Sequence, residues 1–167
     1  RCLGIGLKNL TTKNYMQDFV HLHVHTQYSL LDGQASIAKL VDKAIADGQR
    51  GIAITDHGNM FGVKEFWNYI KKKNGARRDK IKQTSARIAE LQAVVESPDA
   101  TDAQRDELAK LKAEYDALPK DVFKCIIGCE VYVAPRNMTD RQHGIDNDYT
   151  HLILLCKNEV GYKNLCH

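Results

Sequence analysis

Three histidines at alternate positions stand in the segment DFVHLHVHT, which covers residues 18–26. Apolar residues alternate with the histidines, and this period of two is typical of a β-strand. On a strand His23 and His25 project from the same face, so their imidazole rings can converge on one cation. Because imidazole nitrogen is a ligand for zinc, manganese and iron, the pair predicts a metal site.

Four further residues could complete such a site. Asp32 follows in the turn SLLDG, His57 comes after a short apolar run in TDHG, Glu130 lies in a third apolar segment, and His151 opens a fourth. Imidazoles and carboxylates from several elements are the ligand mixture of a multinuclear hydrolytic site. In such sites carboxylates can bridge cations, and a bridging water becomes a hydroxide nucleophile near neutral pH.

Each pattern also has a simpler explanation. A lone histidine pair on a strand is more often structural, and a lone Asp-His pair after a strand can cap a helix. Together the residues favour a metal site, because burying several histidines without partners costs about 1–3 kcal/mol each. His21 shares the strand face but lies earlier, so we expect a hydrogen-bonded core residue, whereas His143 lies in a polar loop and should be solvated.

The elements that must position these residues follow from the periodicity. Apolar runs predict strands over residues 18–26, 51–55, 123–133 and 151–156. Helical spacing predicts helices over residues 36–48 and from 61 to near 75, with another that begins around 158. The alternation of strands and helices predicts an α/β fold with an inner parallel sheet, whose carboxyl ends assemble the site.

The direction of the last strand decides whether His151 can join the site. His151 begins this strand rather than ending it, so a parallel strand would put it at the wrong end of the sheet. An antiparallel return beside the preceding strand would bring His151 to Glu130. The connection over residues 134–150 is long enough for a hairpin, and we expect the antiparallel arrangement.

A charged segment over residues 76–118 interrupts the alternation. It has apolar residues at helical spacing on both sides of Ser97-Pro98, which predicts an inserted antiparallel helical hairpin. The remaining length falls short of a closed barrel of eight βα units, which needs ~250 residues. We therefore expect residues 16–167 to be the N-terminal part of a larger domain, truncated at its C-terminus. One interpretation of residues 1–15 is a non-native leader.

Composition excludes several classes of protein. The chain has 167 residues, of which 43% are hydrophobic and 27% charged, as in a globular domain. No apolar run approaches the roughly 18 residues of a membrane span, so no membrane partner is expected. The net charge of +3 identifies no nucleic-acid partner, and the basic run over residues 71–82 is more simply a solvated helix end than a DNA contact. Five cysteines match no disulfide or zinc framework, which favours reduced thiols and a cytoplasmic location.

Four segments carry a resemblance to a known family: FVHLHVHTQYSLLDG, GIAITDHGNMFGVKEFW, IIGCEVYVAPR and YTHLILLCKNEVGYKNL. Together they resemble the PHP (polymerase and histidinol phosphatase) domain at the N-terminus of bacterial replicative DNA polymerase III alpha subunits. The resemblance covers about residues 17–75 and 122–167. The combination of SLLDG, TDHGNM and GCEVY is closer to the replicative polymerases than to the free phosphatases of the superfamily.

The resemblance implies a partial, distorted (β/α)7 barrel of TIM type, with up to three divalent metal ions (Zn, Mn or Mg) at one mouth. Asp56 would lie in the catalytic site and orient a ligating imidazole. The residues that match metal ligands of the family are His23, His25, Asp32, His57, Glu130 and His151. The remaining ligands of the family would lie beyond His167.

Three functions fit this resemblance. The first is a metal-dependent phosphoesterase inside a replicative DNA polymerase, with a 3′–5′ exonuclease or proofreading role. The second is a non-catalytic module that stabilises the polymerase and docks a proofreading exonuclease subunit. The third is a free-standing phosphatase that acts on a small phosphate monoester. The implied partners are DNA, the rest of the polymerase alpha chain, the exonuclease subunit and other replisome subunits. Nucleotidyl transfer would belong to the whole polymerase, and we expect the fragment alone to be inactive.

Overall fold

The computed structural model describes residues 19–167, so the leader suggested for residues 1–15 lies outside the described residues. The described part of the chain forms four helices and a three-stranded sheet. In chain order the elements are α1 (Ile37–Ala46), β1 (Gly51–Ile54), α2 (Val63–Val95), α3 (Asp102–Ala117), β2 (Lys124–Val133), β3 (Thr150–Leu155) and α4 (Glu159–Leu165). The mixed α/β class expected from the sequence is confirmed.

Strand β2 occupies the centre of the sheet, whose order is β1-β2-β3. It pairs parallel with β1, where Gly51 faces Lys124, and antiparallel with β3, where Tyr132 faces His151. The predicted antiparallel return of the last strand is therefore confirmed. The expected parallel arrangement holds for β1 and β2, whereas the connection after β2 closes a hairpin rather than a helical crossover.

The described strands form an open sheet and do not close into a barrel. Closure requires every strand to pair on both of its sides, whereas within residues 19–167 β3 pairs with β2 on one side only. The expected distorted (β/α)7 barrel of TIM type is therefore not confirmed. The residues present form a sheet with helices packed against it.

The segment before α1 runs beside β1 without forming the strand predicted for residues 18–26. The backbone N–H groups of Ala53 and Thr55 donate to the carbonyl oxygens of His21 and Val24, at 2.9 and 2.8 Å. The two donors are two residues apart but the two acceptors are three apart, so one extra residue interrupts the ladder. The Thr55 hydroxyl accepts the N–H of Val24 at 2.9 Å and so replaces a backbone partner.

The interrupted ladder also overturns the expectation for His21. This residue is exposed rather than buried in a core, and its ring packs edge-on against Phe19 with 4.7 Å between ring centroids. Strict alternation of buried and exposed positions is lost where the extra residue is accommodated. His143 is exposed in the loop between β2 and β3, as expected.

The apolar core lies between the sheet and the helices α1 and α2. Burying an aliphatic or aromatic side chain of this size contributes roughly 1.5–3 kcal/mol. Helix α1 supplies a stripe at helical spacing, and β1 is buried along its whole length. The buried cluster consists of Ile37, Val41, Ala44, Ile52, Ile54, Val63, Phe66, Ile70 and Phe123.

Helix α2 is 33 residues long and continues through Gly75, where the sequence predicted its end. A glycine weakens a helix by about 1 kcal/mol relative to alanine but keeps its backbone N–H, so it need not stop the helix. Asn74 anchors this point, because its side-chain amide exchanges two hydrogen bonds of 3.0 Å with the backbone of Phe123. Despite the length of α2, no helix within residues 19–167 is long and apolar enough to cross a membrane.

The second half of α2 and helix α3 pack as an antiparallel pair across residues 76–118. Lys80 pairs with Glu114 at 3.0 Å and Arg87 with Glu107 at 3.5 Å, so the residue numbers run in opposite directions. Helix α3 starts with a capping box between Thr101 and Gln104, each side chain accepting from the other residue's backbone N–H. The buried apolar contact is narrow, with Leu91 and Leu108 as its buried apolar members.

Two glycine substitutions should change stability in opposite directions. A Cβ at Gly75 would meet no atom within 4 Å, so Gly75→Ala should raise the free energy of unfolding by about 0.5–1 kcal/mol. A Cβ at Gly128 would lie 2.4 Å from the carbonyl oxygen of Leu154, so Gly128→Ala should lower it by about 1–3 kcal/mol. Urea unfolding followed by circular dichroism measures both, and a loss of stability in Gly75→Ala would contradict a continuous α2.

The cysteines should differ in their rate of alkylation. Cys125, Cys129, Cys156 and Cys166 are free thiols. Burial raises the pKa of Cys125 to about 12, whereas Cys166 is exposed near the end of α4. Because the thiolate is the reactive species, iodoacetamide at about pH 8 should modify Cys166 long before Cys125. Peptide mapping by mass spectrometry gives the order, and equal rates would contradict the burial of Cys125.

Candidate metal centre

The pairing of β1 with β2 continues beyond the end of β1 and brings His57 beside Glu130. These residues form an isolated parallel bridge, in which the Glu130 N–H donates to Asp56 O at 3.1 Å and the Gly58 N–H donates to Glu130 O at 2.8 Å. The carboxyl end of β1 therefore meets the middle of β2. This backbone register puts a histidine and a carboxylate side by side, as the position of TDHG after an apolar run predicted.

The carboxylate of Glu130 is the centre of the cluster and is almost completely buried. Its Oε2 lies 2.6 Å from His25 Nε2 and 3.7 Å from His23 Nε2. Its Oε1 lies 3.2 Å from His151 Nδ1, which arrives from β3. The two oxygens therefore face different histidines, which is the arrangement of a carboxylate that bridges two cations.

Asp32 provides a second carboxylate between two histidines. Its Oδ1 lies 3.1 Å from His25 Nδ1, and its Oδ2 lies 3.1 Å from His57 Nδ1. Burial alone would raise the pKa of Asp32, but the hydrogen bond from His57 and the charges of both imidazoles outweigh it, and the pKa is lowered. Asp32 is therefore ionised and able to bind a cation at neutral pH.

Two groups of ligand atoms are close enough to hold a metal ion. His23, His25 and Glu130 form one, and His25, Asp32 and His57 form the other, with the ligand atoms of each within 4.8 Å of one another. Mixed imidazole and carboxylate donors fit zinc, manganese or iron. His57 Nε2 is buried and has no hydrogen-bond partner among residues 19–167, so one ring nitrogen of the cluster is left without a hydrogen bond.

His151 contacts Glu130 but belongs to neither group, and its ring centroid lies 4.7 Å from that of His57. The structure thus brings all the predicted ligand residues to one place. Their assignment as ligands stays a prediction.

Asp56 has a different position from the one expected of it. It is buried beneath the cluster, and its hydrogen bonds in the described chain go to Thr26 and Ser29 rather than to an imidazole. Oδ1 accepts the Thr26 N–H at 2.6 Å and the Ser29 hydroxyl at 3.0 Å, and Oδ2 accepts the Thr26 hydroxyl at 2.9 Å. Asp56 therefore fixes the turn that follows His25 and acts as a positioning residue for the cluster.

Sequence reasoning missed Ser29 and Tyr132. The Ser29 hydroxyl accepts the His57 N–H at 2.9 Å and so connects Asp56 with His57; no pattern in the sequence signals this contact. The Tyr132 ring lies 5.0 Å from that of His57, and a Cβ at Gly58 would come within 3.1 Å of it. Tyr132 could have been found, because it follows Glu130 by two residues on a strand and shares its face.

The basic run over residues 71–82 lies within α2, and several of its charges are used inside the chain. Lys73 pairs with Asp42 at 2.7 Å, and Arg77 donates to the backbone oxygen of Asp121 at 2.8 Å. Lys80 forms the ion pair with α3 described above. The expectation of a helix end is wrong, because the run lies in the middle of α2, but these contacts favour a helix surface engaged within the chain over a DNA contact.

Comparison with known proteins identifies relatives of this chain. The PHP domain family matches residues 21–167. DNA polymerase III subunit alpha of Treponema pallidum is 37% identical over 148 residues, which cover 88% of this chain and 8% of the relative. The Chlamydia trachomatis protein of the same name is 33% identical over 149 residues, again 8% of the relative, and that of Thermus aquaticus is 32% identical over 151 residues.

The chain spans about 8% of the length of the relatives from Treponema and Chlamydia. The family match, in contrast, extends over all of the elements α1 to α4 and contains both groups of candidate ligands. The resemblance inferred from the motifs is confirmed, and this chain belongs to the PHP domain family.

Proposed function

We propose that this chain is the PHP domain of a bacterial replicative DNA polymerase of the III alpha type, and that its metal centre hydrolyses a phosphodiester at a DNA end. The observation that carries the proposal is that Glu130 and Asp32 each lie between two histidines. Two adjacent cation sites that share ligands are typical of phosphoester hydrolysis. The relatives are DNA polymerase III alpha subunits, which supports a role of this chain in DNA replication.

Some residues of the site would hold cations, and others would keep these ligands in position. His23, His25 and Glu130 would hold one cation, and Asp32 and His57 would bind a second beside it, since the neutral imidazole of His25 ligates a single cation. When bound, divalent cations would activate a water and neutralise charge on the phosphate.

Asp56 would keep this ligand set in place through the turn after His25. Its carboxylate also accepts from Ser29, whose hydroxyl receives the His57 backbone N–H. The turn and His57 are therefore positioned by one buried carboxylate that itself stays out of the cation sites.

Two alternative functions would place the same residues in a non-catalytic module or in a free-standing phosphatase. A non-catalytic module would use the same contacts to stabilise the polymerase and to dock a proofreading exonuclease subunit, without turnover. A free-standing phosphatase agrees less well with relatives that are more than ten times longer than the matched region. DNA, the remaining alpha chain, the exonuclease subunit and other replisome subunits are the proposed partners, and the isolated domain is expected to be inactive.

Metal binding should depend on Glu130. Mn²⁺ or Zn²⁺ should raise the thermal unfolding midpoint, because a ligand at 100 times its Kd contributes about 2.7 kcal/mol of stability. Glu130→Gln keeps the shape of the side chain but removes its charge, so it should weaken metal binding in isothermal titration calorimetry by about tenfold or more. Glu107→Gln, on the exposed hairpin, is the matched control. Equal affinity in both variants would contradict a metal centre at Glu130.

DNA cleavage should depend on the histidines but DNA synthesis should not. Full-length protein that carries this domain should shorten 3′-labelled single-stranded DNA in Mn²⁺ or Zn²⁺, and a chelator should stop the reaction. His23→Ala should abolish cleavage and leave polymerisation intact, whereas His143→Ala, in the exposed loop after β2, should change neither. Cleavage unchanged in His23→Ala would favour the non-catalytic alternative.

A further inference from the structure

A small cleft opens beside the metal centre and has a polar floor and apolar walls. His57 and Asp32 lie at its floor, and its volume is about 220 Å³. Leu30 and Leu31 form one wall, Phe61 another, and Tyr132 a third. The cleft is thus continuous with the second group of candidate ligands, and whatever enters it comes within reach of a cation held there.

The apolar walls are unusually exposed for residues of their type. Leu31 is fully exposed, Leu30 is 89% exposed and Phe61 is 77% exposed. Exposed apolar side chains gathered around a polar centre mark binding surfaces more often than ordinary surface. The water they contact would be released when an apolar ligand covers them, which favours binding.

The backbone at Phe61 is held in position relative to His57. The side-chain amide of Asn59 donates to the carbonyl oxygens of Tyr28 and His57, both at 3.1 Å, and its oxygen accepts the Phe61 N–H at 3.2 Å. One side chain therefore connects the two loops on either side of the cleft. The backbone beneath the Phe61 wall is therefore preformed, which reduces the ordering cost of binding to that of the side chains.

Aromatic rings continue outward from the floor. The Tyr132 ring lies 5.0 Å from the His57 ring, and the Tyr149 ring lies 4.8 Å from that of Tyr132. Flat aromatic and apolar surfaces bind nucleobases by stacking, and this contact does not depend on the base because every base has a π-face.

We propose that this cleft receives the unpaired terminal base of a DNA strand, so that the adjacent phosphodiester lies at the metal centre. The inference rests on the proposed function and names the specificity-determining residues of that site, Phe61 and Tyr132. The base would lie between the Phe61 and Leu30–Leu31 walls, and the charged backbone would face Asp32 and His57 through the bound cations.

A thermodynamic cycle tests the proposal. The probe is a fluorescent trinucleotide with a non-hydrolysable 3′-terminal linkage, compared with the same molecule lacking its 3′ base, and both are titrated with the Mn²⁺-loaded chain. Removing the base should weaken binding about tenfold. Phe61→Ala should weaken binding of the intact trinucleotide by the same factor and leave binding of the abasic one unchanged. The effects should not add, because each change removes the same contact.

Trp67→Ala is the matched control, since Trp67 is an exposed aromatic residue of α2 that lines a different cleft. It should bind both trinucleotides as the parent chain does. Tyr132→Leu provides a second variant, and circular dichroism checks that each variant is folded. Because Phe61 is largely exposed, its truncation should leave the fold intact.

The outcomes separate the cleft from the catalytic proposal. Equal affinity for the two trinucleotides, or additive effects of base removal and Phe61→Ala, would overturn the base site even if the full-length protein cleaves DNA. A base preference lost in Phe61→Ala would support the site even if no cleavage is found. Absence of binding by both trinucleotides would count against the base site and the phosphodiester substrate together.

Discussion

The carboxylate of Glu130 is buried on the central strand, and the residues around it must compensate its removal from water. An ionised group removed from water costs several kcal/mol unless charged or hydrogen-bonding partners compensate it. The partners of Glu130 are imidazoles from three separate segments: the chain before α1, the end of β1 and the start of β3. The order of the sheet follows, because β2 must lie between the strands that deliver His57 and His151.

A second buried carboxylate, that of Asp56, fixes the backbone that carries the cluster around Glu130. Asp56 is nearly inaccessible, and it takes its hydrogen bonds from the turn that follows His25. Ser29 extends the network to the backbone of His57. The cluster therefore has two layers: an upper layer of candidate ligands, and a lower layer whose hydrogen bonds are made within the chain. The lower layer fixes the backbone from which the upper side chains project.

Much of the site could be predicted from the sequence, since its residue types are chemically restricted. Histidines at alternate positions, followed by Asp32, His57, Glu130 and His151 in later segments, are recognisable in the order of the residues alone. The antiparallel return of β3 followed from the need to bring His151 to Glu130.

The hydrogen bonds of Asp56 were not predictable, because an acid after a strand can face an imidazole or a backbone amide equally well. The interrupted ladder before α1 includes a side-chain hydrogen bond, from the Val24 N–H to the Thr55 hydroxyl, that periodicity does not encode. The continuation of α2 through Gly75 is accompanied by the contact of Asn74 with Phe123, which is distant in sequence.

The uninterrupted course of α2 has a structural consequence. Its rise of about 1.5 Å per residue makes the helix roughly 50 Å long. One end begins directly after Phe61 at the wall of the cleft, and the other reaches the turn that leads into α3. One continuous helix therefore connects the two regions, so a partner that binds the far end would contact the same element that borders the cleft. The charged hairpin over residues 76–118 and the cleft beside the metal centre are thus joined by the continuous backbone of α2.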